Sequence, residues 1–292
     1  MSREIDLAII IVAYNARGLL DECLASLFLH AQGIDFDVFV VDNASRDGSA
    51  ELMEEKYPQA ILIRNPVNLY FTKANNQAIQ QSRGRYVLLL NPDTVVQSDA
   101  IQQMVKFMDA HPDAAACTPK LLNPDGSLQP SCMKIPTRLY GVCQALLLNN
   151  LLPNNPVNRN IQYADWDRHD IREVEVGGGA CLMVRRKAIQ AVGLLDEGFK
   201  MYYEETDWCW RLRQAGWKIY YLPDARIIHH LAGTSRGHPH MRRINHQSFL
   251  LFYRKHYGIV AFGLLWVLTL IPNLVILPVI DLLRGLIGRG RQ

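Results

Sequence analysis

Three acidic residues within four positions, Glu204, Glu205 and Asp207, form the densest group of side chains suited to acid–base chemistry. They stand beside aromatic residues near the start of a predicted helix, where the helix dipole favours an ionised carboxylate. A carboxylate held in this way could act as a general base that takes the proton of a hydroxyl group. The same acids could instead only complement the helix dipole, and the residues alone leave both interpretations open.

Two other carboxylates follow apolar runs of strand length. Asp93 ends the segment Asn91-Pro92-Asp93, and hard divalent cations that bridge diphosphates take oxygen ligands of this kind. Asp42 could accept a hydrogen bond from a nucleobase imide or a ribose hydroxyl. Both aspartates also suit ordinary turns and helix caps, so neither is decisive by itself.

The elements that would position these side chains are indicated by four continuous apolar runs. Runs of this length are typical of parallel strands that are buried on both faces, and apolar residues at helical spacing lie between them. The pattern predicts a doubly wound α/β fold. Polar residues follow every run, so a ligand site is predicted beyond the carboxyl ends of the strands, in the first third of the chain. The four runs are residues 7–13, 38–41, 60–63 and 86–90.

The rest of the chain gives weaker signals. Residues 120–172 are rich in Asn and Pro and are predicted to be mostly loop. Order is expected to return with a strand over 174–184, helices over 186–192 and about 205–215, and two further strands. Those last strands are predicted at 218–222 and 226–229.

Composition narrows the class of protein. The 292 residues are 49% hydrophobic, which is enough for a large core, and the net charge of +3 does not indicate a nucleic-acid partner. Six scattered cysteines without a Cys-x-x-Cys pair predict reduced core thiols in a cytosolic domain. The first residues lack the features of a signal peptide, so export is not expected.

The C-terminal part of the chain predicts membrane association. Residues 236–258 carry arginine, lysine and aromatic side chains but no acid, and an apolar run follows over 259–280. At 1.5 Å per residue this run could cross a hydrocarbon core of roughly 30 Å. Pro272 and Pro278 and the positive charge on both flanks leave a single crossing and a kinked or in-plane arrangement equally open.

Taken in chain order, these motifs resemble family 2 inverting glycosyltransferases, particularly the bacterial rhamnosyltransferase-like branch. The resemblance covers about residues 6–258. It rests on Tyr14-Asn15, Asp42-Asn43-x-Ser-x-Asp-Gly-Ser, Asn91-Pro92-Asp93, Asp196-Glu197-x-Phe199 and Glu204-Glu205-x-Asp207.

The resemblance implies a GT-A type, mostly parallel doubly wound sheet with C-terminal membrane-associating helices. Glu205 takes the position of the catalytic base, with Glu204 and Asp207 as supporting acids. The ion, Mg²⁺ or Mn²⁺, would be held by Asp93 and by a histidine of the segment 227–235, His230 being favoured over His229. The residues expected at the nucleotide are Tyr14, Asn15, Asp42, Asn76 and Asn91.

Two positions depart from the family pattern. Tyr70 stands where the family usually has a glycine, so the loop on the donor side could differ in shape. Asn91 replaces the first acid of the Asp-x-Asp motif, which should weaken binding of the ion before the diphosphate arrives.

The resemblance divides the chain into a catalytic domain over 1–235 and two C-terminal segments. The nucleotide-binding half would be 1–95 and the acceptor half 96–235, followed by a basic amphipathic segment over 236–258 and a hydrophobic tail over 259–292.

The implied activity is transfer of a sugar, with rhamnose from dTDP-rhamnose as the first candidate, from a nucleoside diphosphate to a glycan or lipid-linked acceptor. It would serve cell-surface polysaccharide synthesis at the cytoplasmic face of the plasma membrane. A non-catalytic, nucleotide-sugar-binding membrane scaffold is the alternative. Residues 13–18 match neither a dinucleotide-binding nor a P-loop motif, which disfavours those enzyme classes.

Overall fold

A computed structural model describes residues 5–231 and 239–272, and within them the chain forms ten strands and ten helices. The strands are β1 Leu7–Ala13, β2 Phe36–Asp42, β3 Ile61–Arg64, β4 Tyr86–Leu90, β5 Thr94–Val96, β6 Ala114–Leu122, β7 Leu128–Gln129, β8 Arg172–Val174, β9 Cys181–Arg185 and β10 Lys218–His229. The helices are α1 Arg17–His30, α2 Ser49–Lys56, α3 Tyr70–Gln81, α4 Ala100–Ala110, α5 Arg138–Ala145, α6 Leu148–Leu151, α7 Pro156–Ile161, α8 Arg186–Val192, α9 Glu204–Gln214 and α10 Pro239–Ile271.

All ten strands belong to one mixed sheet, with the order β3-β2-β1-β4-β9-β6-β10-β5, β7 beside β6 and β8 beside β10. Strands β1 to β4 are mutually parallel, and β9 pairs antiparallel with both β4 and β6. Since β10 runs parallel to β6, the carboxyl ends of β1, β2, β3, β4, β6 and β10 lie at one edge of the sheet. The predicted convergence of strand ends is therefore present.

Both faces of the sheet are buried, as the continuous apolar runs predict. Along β1, Leu7, Ile9 and Ile11 belong to one hydrophobic cluster, and Ala8 and Ile10 belong to the cluster on the other face. This alternation follows from the two-residue period of a strand, and helices cover each face. All six cysteines are free thiols, and Cys143 is the only one of the six that is partly exposed.

The predictions for the first hundred residues are confirmed, and those for the middle are partly wrong. Residues 120–172 contain β7 and helices α5 to α7, which have four to eight residues and are too short to show helical periodicity. The strand expected over 174–184 is divided into β8 and β9 by a glycine-rich turn. The two strands expected after residue 217 form one strand, β10, with an irregularity between Leu222 and Arg226.

The C-terminal helix α10 has two halves, because Gly258 has a non-helical backbone with φ 87°. The first half packs Phe249, Phe252 and Tyr253 into a third hydrophobic cluster that also contains residues of α5. The second half is largely exposed and apolar. By length and composition alone, α10 could cross a membrane over His240–Ile271, and 11% of its most apolar window is buried in the protein. Residues 273–292, which include Pro278, lie outside the described residues.

Candidate active site

A cavity of about 770 Å³ lies beyond the carboxyl ends of β1, β2 and β3. Its walls include Tyr14, Asn15 and Asp42, three of the residues predicted to meet a nucleotide. The Asp42 side chain is buried, and its Oδ1 has no hydrogen-bond partner among the described residues. Its Oδ2 accepts only a long hydrogen bond, 3.4 Å, from the backbone of Ser45. A buried acceptor without a partner is costly, so Oδ1 is suited to a donor on a ligand.

The cavity wall is held by hydrogen bonds between the loops that follow β1 and β2. The backbone N–H of Asn15 donates to Ser45 Oγ at 3.0 Å, and the backbone N–H of Arg46 donates to Asn15 Oδ1 at 2.8 Å. Asp47 fixes the next turn by accepting from the backbone N–H groups of Arg17 and Ser49. Asn15 therefore shapes the wall as well as lining it.

Asn43 positions the other rim of the cavity, the loop over residues 65–70. Its side-chain amide donates to Asn68 Oδ1 and to the carbonyl of Tyr70, both at 3.0 Å, and its Oδ1 accepts from the backbone of Leu69 at 3.0 Å. Asn43 was not among the predicted site residues. Its place directly after Asp42 in the motif is the signal that could have identified it.

Tyr70 adopts the left-handed backbone conformation, with φ 61°. This conformation costs a non-glycine residue about 1–2 kcal/mol, which gives a physical reason for the glycine expected here from the family resemblance. In this chain the ring has contacts that glycine could not make. The Tyr70 hydroxyl lies 2.9 Å from His240 Nε2 on α10, and Lys200 Nζ lies 5.1 Å from the ring centroid.

The segment Asn91-Pro92-Asp93 joins β4 to β5 at the same sheet edge. Asn91 is fixed by its backbone, since its N–H donates to the carbonyl of Ala180 at 2.9 Å and its carbonyl accepts from Thr94 Oγ1 at 2.7 Å. Asp93 Oδ1 lies 3.2 Å from Nε2 of His229, and both side chains are nearly buried. The register of β5 against β10, in which Thr94 is opposite His229, creates this pair.

Gln129 determines how the His229 ring faces Asp93. The Gln129 amide nitrogen donates to the side-chain carbonyl of Asn123 and to the backbone carbonyl of His229. The amide oxygen, Oε1, is therefore the atom that faces His229 Nδ1, at 2.7 Å. His229 Nδ1 then carries a hydrogen, and the other ring nitrogen, Nε2, faces Asp93. At 3.2 Å, a proton on Nε2 or a cation bound by both atoms would satisfy the pair.

His230, the histidine favoured from the sequence, has a different environment. Its backbone N–H donates to the carbonyl of Asp93 at 2.9 Å, but its Nε2 lies 3.4 Å from a carboxylate oxygen of Glu22 on α1. Of the two histidines, His229 is therefore the one whose side chain faces the Asp93 carboxylate.

Helix α9 brings Glu205 towards this segment. The turn before α9 has two residues in the left-handed region, Tyr202 and Tyr203, both with φ 67°. Glu205 packs beside Gly179, since a β-carbon placed on Gly179 would lie 3.6 Å from Glu205 Cγ. The next residue, Ala180, accepts the hydrogen bond from the Asn91 N–H. The Glu205 side chain is thus close to the turn that holds Asn91-Pro92-Asp93.

Glu204 is buried, and Glu205 beside it is partly exposed. Burial raises the pKa of Glu205 above its ordinary value. Burial, with a further contribution from the charge of Glu205, raises the pKa of Glu204 well above its ordinary value. Glu204 Oε2 has no hydrogen-bond partner among the described residues. A carboxyl group whose pKa approaches neutral is a more effective general base than an exposed one.

Asp207, predicted as a supporting acid, is instead enclosed by basic groups. It is fully buried and contacts Arg211 at 2.8 Å, Lys255 at 2.7 Å and His256 at 2.8 Å. Burial acts to raise its pKa, but the hydrogen bonds from His256, Lys255 and Arg211 outweigh burial and hold the pKa at about 2. Lys255 and His256 belong to α10, so Asp207 joins α9 to α10.

Asn76 was predicted to line the nucleotide pocket, but its side-chain amide is bonded within the protein. It is buried, and its amide donates to the carbonyl of Leu195 at 2.9 Å and to Glu197 Oε1 at 3.2 Å. These bonds hold the turn around Leu195 and Glu197 that precedes α9. Asn76 is not among the residues that line the cavity.

Comparison with known families decides the class. The model of the family described as Glycosyl transferase family 2 matches residues 8–193, from β1 to the end of α8. The chain belongs to glycosyl transferase family 2. The matched residues include the cavity walls and Asn91-Pro92-Asp93, whereas Glu205 and His229 lie beyond them.

Individual relatives place this family 2 chain near rhamnosyltransferases. It is 30% identical over 277 residues to the N-acetylglucosaminyl-diphospho-decaprenol L-rhamnosyltransferase of Mycobacterium tuberculosis, covering 90% of this chain and 89% of the relative. It is 23% identical over 286 residues to the dTDP-rhamnosyl transferase RfbF of Shigella flexneri, covering 87% and 88% of the two chains.

A solved structure confirms the GT-A fold of the family 2 chain. The mannosyltransferase PcManGT of Pyrobaculum calidifontis, solved in complex with GDP-Man and Mn²⁺, superposes with a TM-score of 0.59 at 18% identity. The superposition covers 88% of this chain and 66% of that chain.

The residues present in this family 2 chain fit a divalent ion that is shared with a ligand. Within residues 5–231 and 239–272, no group of three or more His, Cys, Asp or Glu side chains could hold an ion alone. Asp93 and His229 supply one oxygen and one nitrogen, which leaves most coordination positions open. Mg²⁺ and Mn²⁺ commonly complete such a shell with phosphate oxygens and water.

Proposed function

We propose that this chain is an inverting glycosyltransferase that moves a sugar from a nucleoside diphosphate to a lipid-linked acceptor in cell-surface polysaccharide synthesis. Rhamnose from dTDP-rhamnose is the first candidate donor, because two relatives that match most of the chain are named rhamnosyltransferases. The polyprenyl diphosphate in the name of the mycobacterial relative supports a lipid-linked acceptor.

The observation that carries the proposal is the pair formed by Asp93 and His229, 3.2 Å apart at the sheet edge that also borders the cavity. It provides a site for an ion between the nucleotide cavity and the acidic start of α9. A divalent ion at Asp93 and His229 would offset the negative charge that develops on the departing nucleoside diphosphate.

The chain itself supplies the groups for the remaining steps. Glu205 accepts the proton of the acceptor hydroxyl as that oxygen bonds to the anomeric carbon, and the donor's bond to its diphosphate breaks in the same displacement. One displacement inverts the configuration and needs no covalent enzyme intermediate. The raised pKa of Glu205 gives it the proton affinity that this role requires.

Asp42 narrows the class of nucleotide. Its free Oδ1 in the cavity requires a hydrogen-bond donor on the ligand. The ring N–H of thymine, uracil or guanine is such a donor, whereas adenine and cytosine have none at the corresponding ring nitrogen. Among these three bases, the name of the Shigella flexneri relative favours thymine, and so a dTDP sugar. We place the site at the cytoplasmic face of the plasma membrane, held there by α10.

A panel of nucleotide sugars offered to the detergent-solubilised protein tests this function. We expect metal-dependent hydrolysis of dTDP-rhamnose above that of UDP, GDP and ADP sugars, and transfer with inversion, seen as the anomeric configuration of the product by NMR. Asp42→Asn should lower the preference for the thymine base. Lack of hydrolysis or transfer with every donor would favour the scaffold alternative.

A further inference from the structure

An apolar groove separate from the nucleotide cavity lies between α5 and α10, where α10 changes direction at Gly258. Its volume is about 210 Å³, and its walls include Val142 from α5 and Tyr257, Val260 and Leu264 from α10. Among the residues that the structure describes, Arg138, in the first turn of α5, is the one charged side chain that lines it. None of the site residues described above belongs to this groove.

The floor of the groove has no free polar group. The hydroxyl of Tyr253 donates to the carbonyl of Thr137 at 2.8 Å, and the hydroxyl of Tyr257 donates to the carbonyl of Pro136 at 2.7 Å. Both rings therefore present only apolar atoms to the groove. A chain of methylene or isoprene groups could be buried there without leaving a polar atom unsatisfied.

A basic side chain, Arg138, stands at the mouth of the groove. One acid, Glu175, also acts on Tyr257 through its charge, and its carboxylate accepts a hydrogen bond from the backbone N–H of Ile135. Arg138 is exposed and lies 5.3 Å from the Tyr257 ring centroid, and it forms no ion pair with an acid among the described residues. The sequence of α10 from 239 to 271 contains several basic residues and no Asp or Glu. An apolar groove with a guanidinium at its mouth matches a molecule with a hydrocarbon chain and a phosphate group.

The groove is connected to the catalytic side of the protein through aromatic contacts. Tyr253 lines the groove, and its neighbour Phe252 packs against Tyr203 with ring centroids 5.4 Å apart. Tyr203 directly precedes Glu204 at the start of α9. These contacts connect the groove to the start of α9, the helix that carries Glu205.

From these observations we propose that the α5–α10 groove binds the isoprenoid chain of a polyprenyl-diphosphate acceptor, with Arg138 facing the diphosphate. This inference rests on the proposed glycosyltransferase function and adds the site of its acceptor lipid. A polyprenyl diphosphate has more negative charge than a bilayer phospholipid and a branched chain, which suits the basic mouth and the shape of the groove.

Filling the groove tests its role in the reaction. Ala261→Trp adds bulk inside the groove, and Ala191→Trp adds the same bulk at an exposed position of α8 that does not line it. The two acceptors are N-acetylglucosaminyl diphosphates that carry a farnesyl chain or a methyl group. We expect Ala261→Trp to raise KM for the farnesyl acceptor by about tenfold, the loss of roughly two buried CH₂ groups, and not for the methyl acceptor.

Substitution of Arg138 tests the role of charge at the mouth of the groove. Arg138→Gln should raise KM for both acceptors, because both carry the diphosphate, and Arg83→Gln, which alters an exposed arginine after α3, should change neither. If Ala261→Trp shows lowered donor hydrolysis, Leu264→Gln on the exposed wall replaces it. Equal effects of Ala261→Trp and Ala191→Trp on the two acceptors would overturn the proposal.

Binding is measured separately from turnover with a farnesyl diphosphate that carries a photoreactive diazirine on its tail. Cross-links are expected at residues 257–265, with competition by unlabelled farnesyl diphosphate. If phosphatidylglycerol vesicles compete equally well, the groove holds ordinary bilayer lipid and the proposal is wrong. Cross-linking at the groove in a protein that hydrolyses no nucleotide sugar would retain the lipid site and reject the glycosyltransferase function.

Discussion

Two neighbouring carboxyl groups on α9, Glu204 and Glu205, differ in what surrounds them. Glu204 is 6% exposed and its Oε2 has no partner among the described residues, whereas Glu205 is less buried and faces the turn near Gly179. Burial raises the pKa of both carboxyl groups, and the negative charge of Glu205 raises that of Glu204 further, well above its ordinary value. The two groups therefore lose their protons in separate steps, and the larger shift at Glu204 favours Glu205 as the base.

Glu205→Gln is expected to keep donor binding and to lower kcat by roughly 10²-fold or more, because the amide cannot accept the acceptor proton. In the wild type, kcat should fall as the pH drops through the raised pKa of Glu205. Glu204→Gln is the matched control and should have a much smaller effect, since it replaces a neutral group with another of similar size. Equal losses in the two variants would contradict the assignment of the base.

The metal dependence of the activity distinguishes His229 from His230 as the residue that binds the ion. His229→Ala should raise the Mn²⁺ concentration needed for half-maximal activity by about 10–100-fold, since its Nε2 faces Asp93. His230→Ala should change this concentration little, because its ring faces Glu22. Metal titration of both variants decides the matter, and the reverse ranking would restore the histidine favoured from the sequence.

Some site residues could be predicted from the sequence and others could not. Tyr14, Asn15 and Asp42 follow strands whose apolar runs are unmistakable, and the structure brings all three to one cavity. Adjacent residues of a strand point to opposite faces, so spacing alone does not tell whether His229 or His230 faces Asp93. The partner that orients the ring, Gln129, is 100 positions away in the chain.

At the level of elements, strands were more predictable than short helices. Strands β1, β2 and β4 are largely buried on both faces, and that burial is visible as unbroken apolar sequence. Helices α5 to α7 are stabilised by packing and by caps such as Thr137, whose side chain accepts from the backbone of Tyr140. One or two helical turns are too short to show a hydrophobic period, so their sequence appeared to be loop.

The packing of α9 against α10 depends on the buried charge of Asp207. Asp207→Asn removes the negative partner of Arg211, Lys255 and His256, and we expect it to lower the free energy of unfolding by about 3 kcal/mol and Tm by several degrees at neutral pH. Asp224→Asn, at an exposed position of β10, is the control and should be neutral.

Acid should remove the same stabilisation in the wild type. The pKa of Asp207 is lowered from 3.8 to about 2, so its contribution is complete above pH 4 and is lost as the pH falls through about 2. This shift corresponds to about 2 kcal/mol. Denaturant unfolding at pH 7 and pH 3 measures it, and a gap between wild type and Asp207→Asn that does not narrow in acid would show that the ion pairs are not its source.

For the whole molecule, the proposed membrane contact would be made by the second half of α10. From Ile259 to Ile271 the helix is about 20 Å long at 1.5 Å per residue, which is shorter than a hydrocarbon core of roughly 30 Å. The described part of this half could lie in the membrane surface but could not cross it alone. Its exposed apolar residues include Trp266, Val267 and Leu270.

Replacing Trp266, Val267 and Leu270 together with Ser should release the protein from anionic vesicles, because burial of each such side chain contributes about 1.5–3 kcal/mol. This change leaves the buried Leu265 in place, which deletion of the tail would remove. Serine at Leu29, Ile61 and Ile171, which are also exposed, is the matched control. Vesicle flotation is the measurement, and equal flotation of both triple variants would refute the membrane role of α10.

The burial of most thiols makes Cys143 a natural site for attaching a fluorescent label. Burial raises the pKa of Cys23, Cys132 and Cys209 to about 12, so these thiols stay protonated and unreactive while the fold is intact. Cys143 is partly exposed and follows Val142 of the groove. A maleimide dye should therefore attach at one position of the untouched wild-type chain, where its emission would respond to occupants of the neighbouring groove without any engineered cysteine.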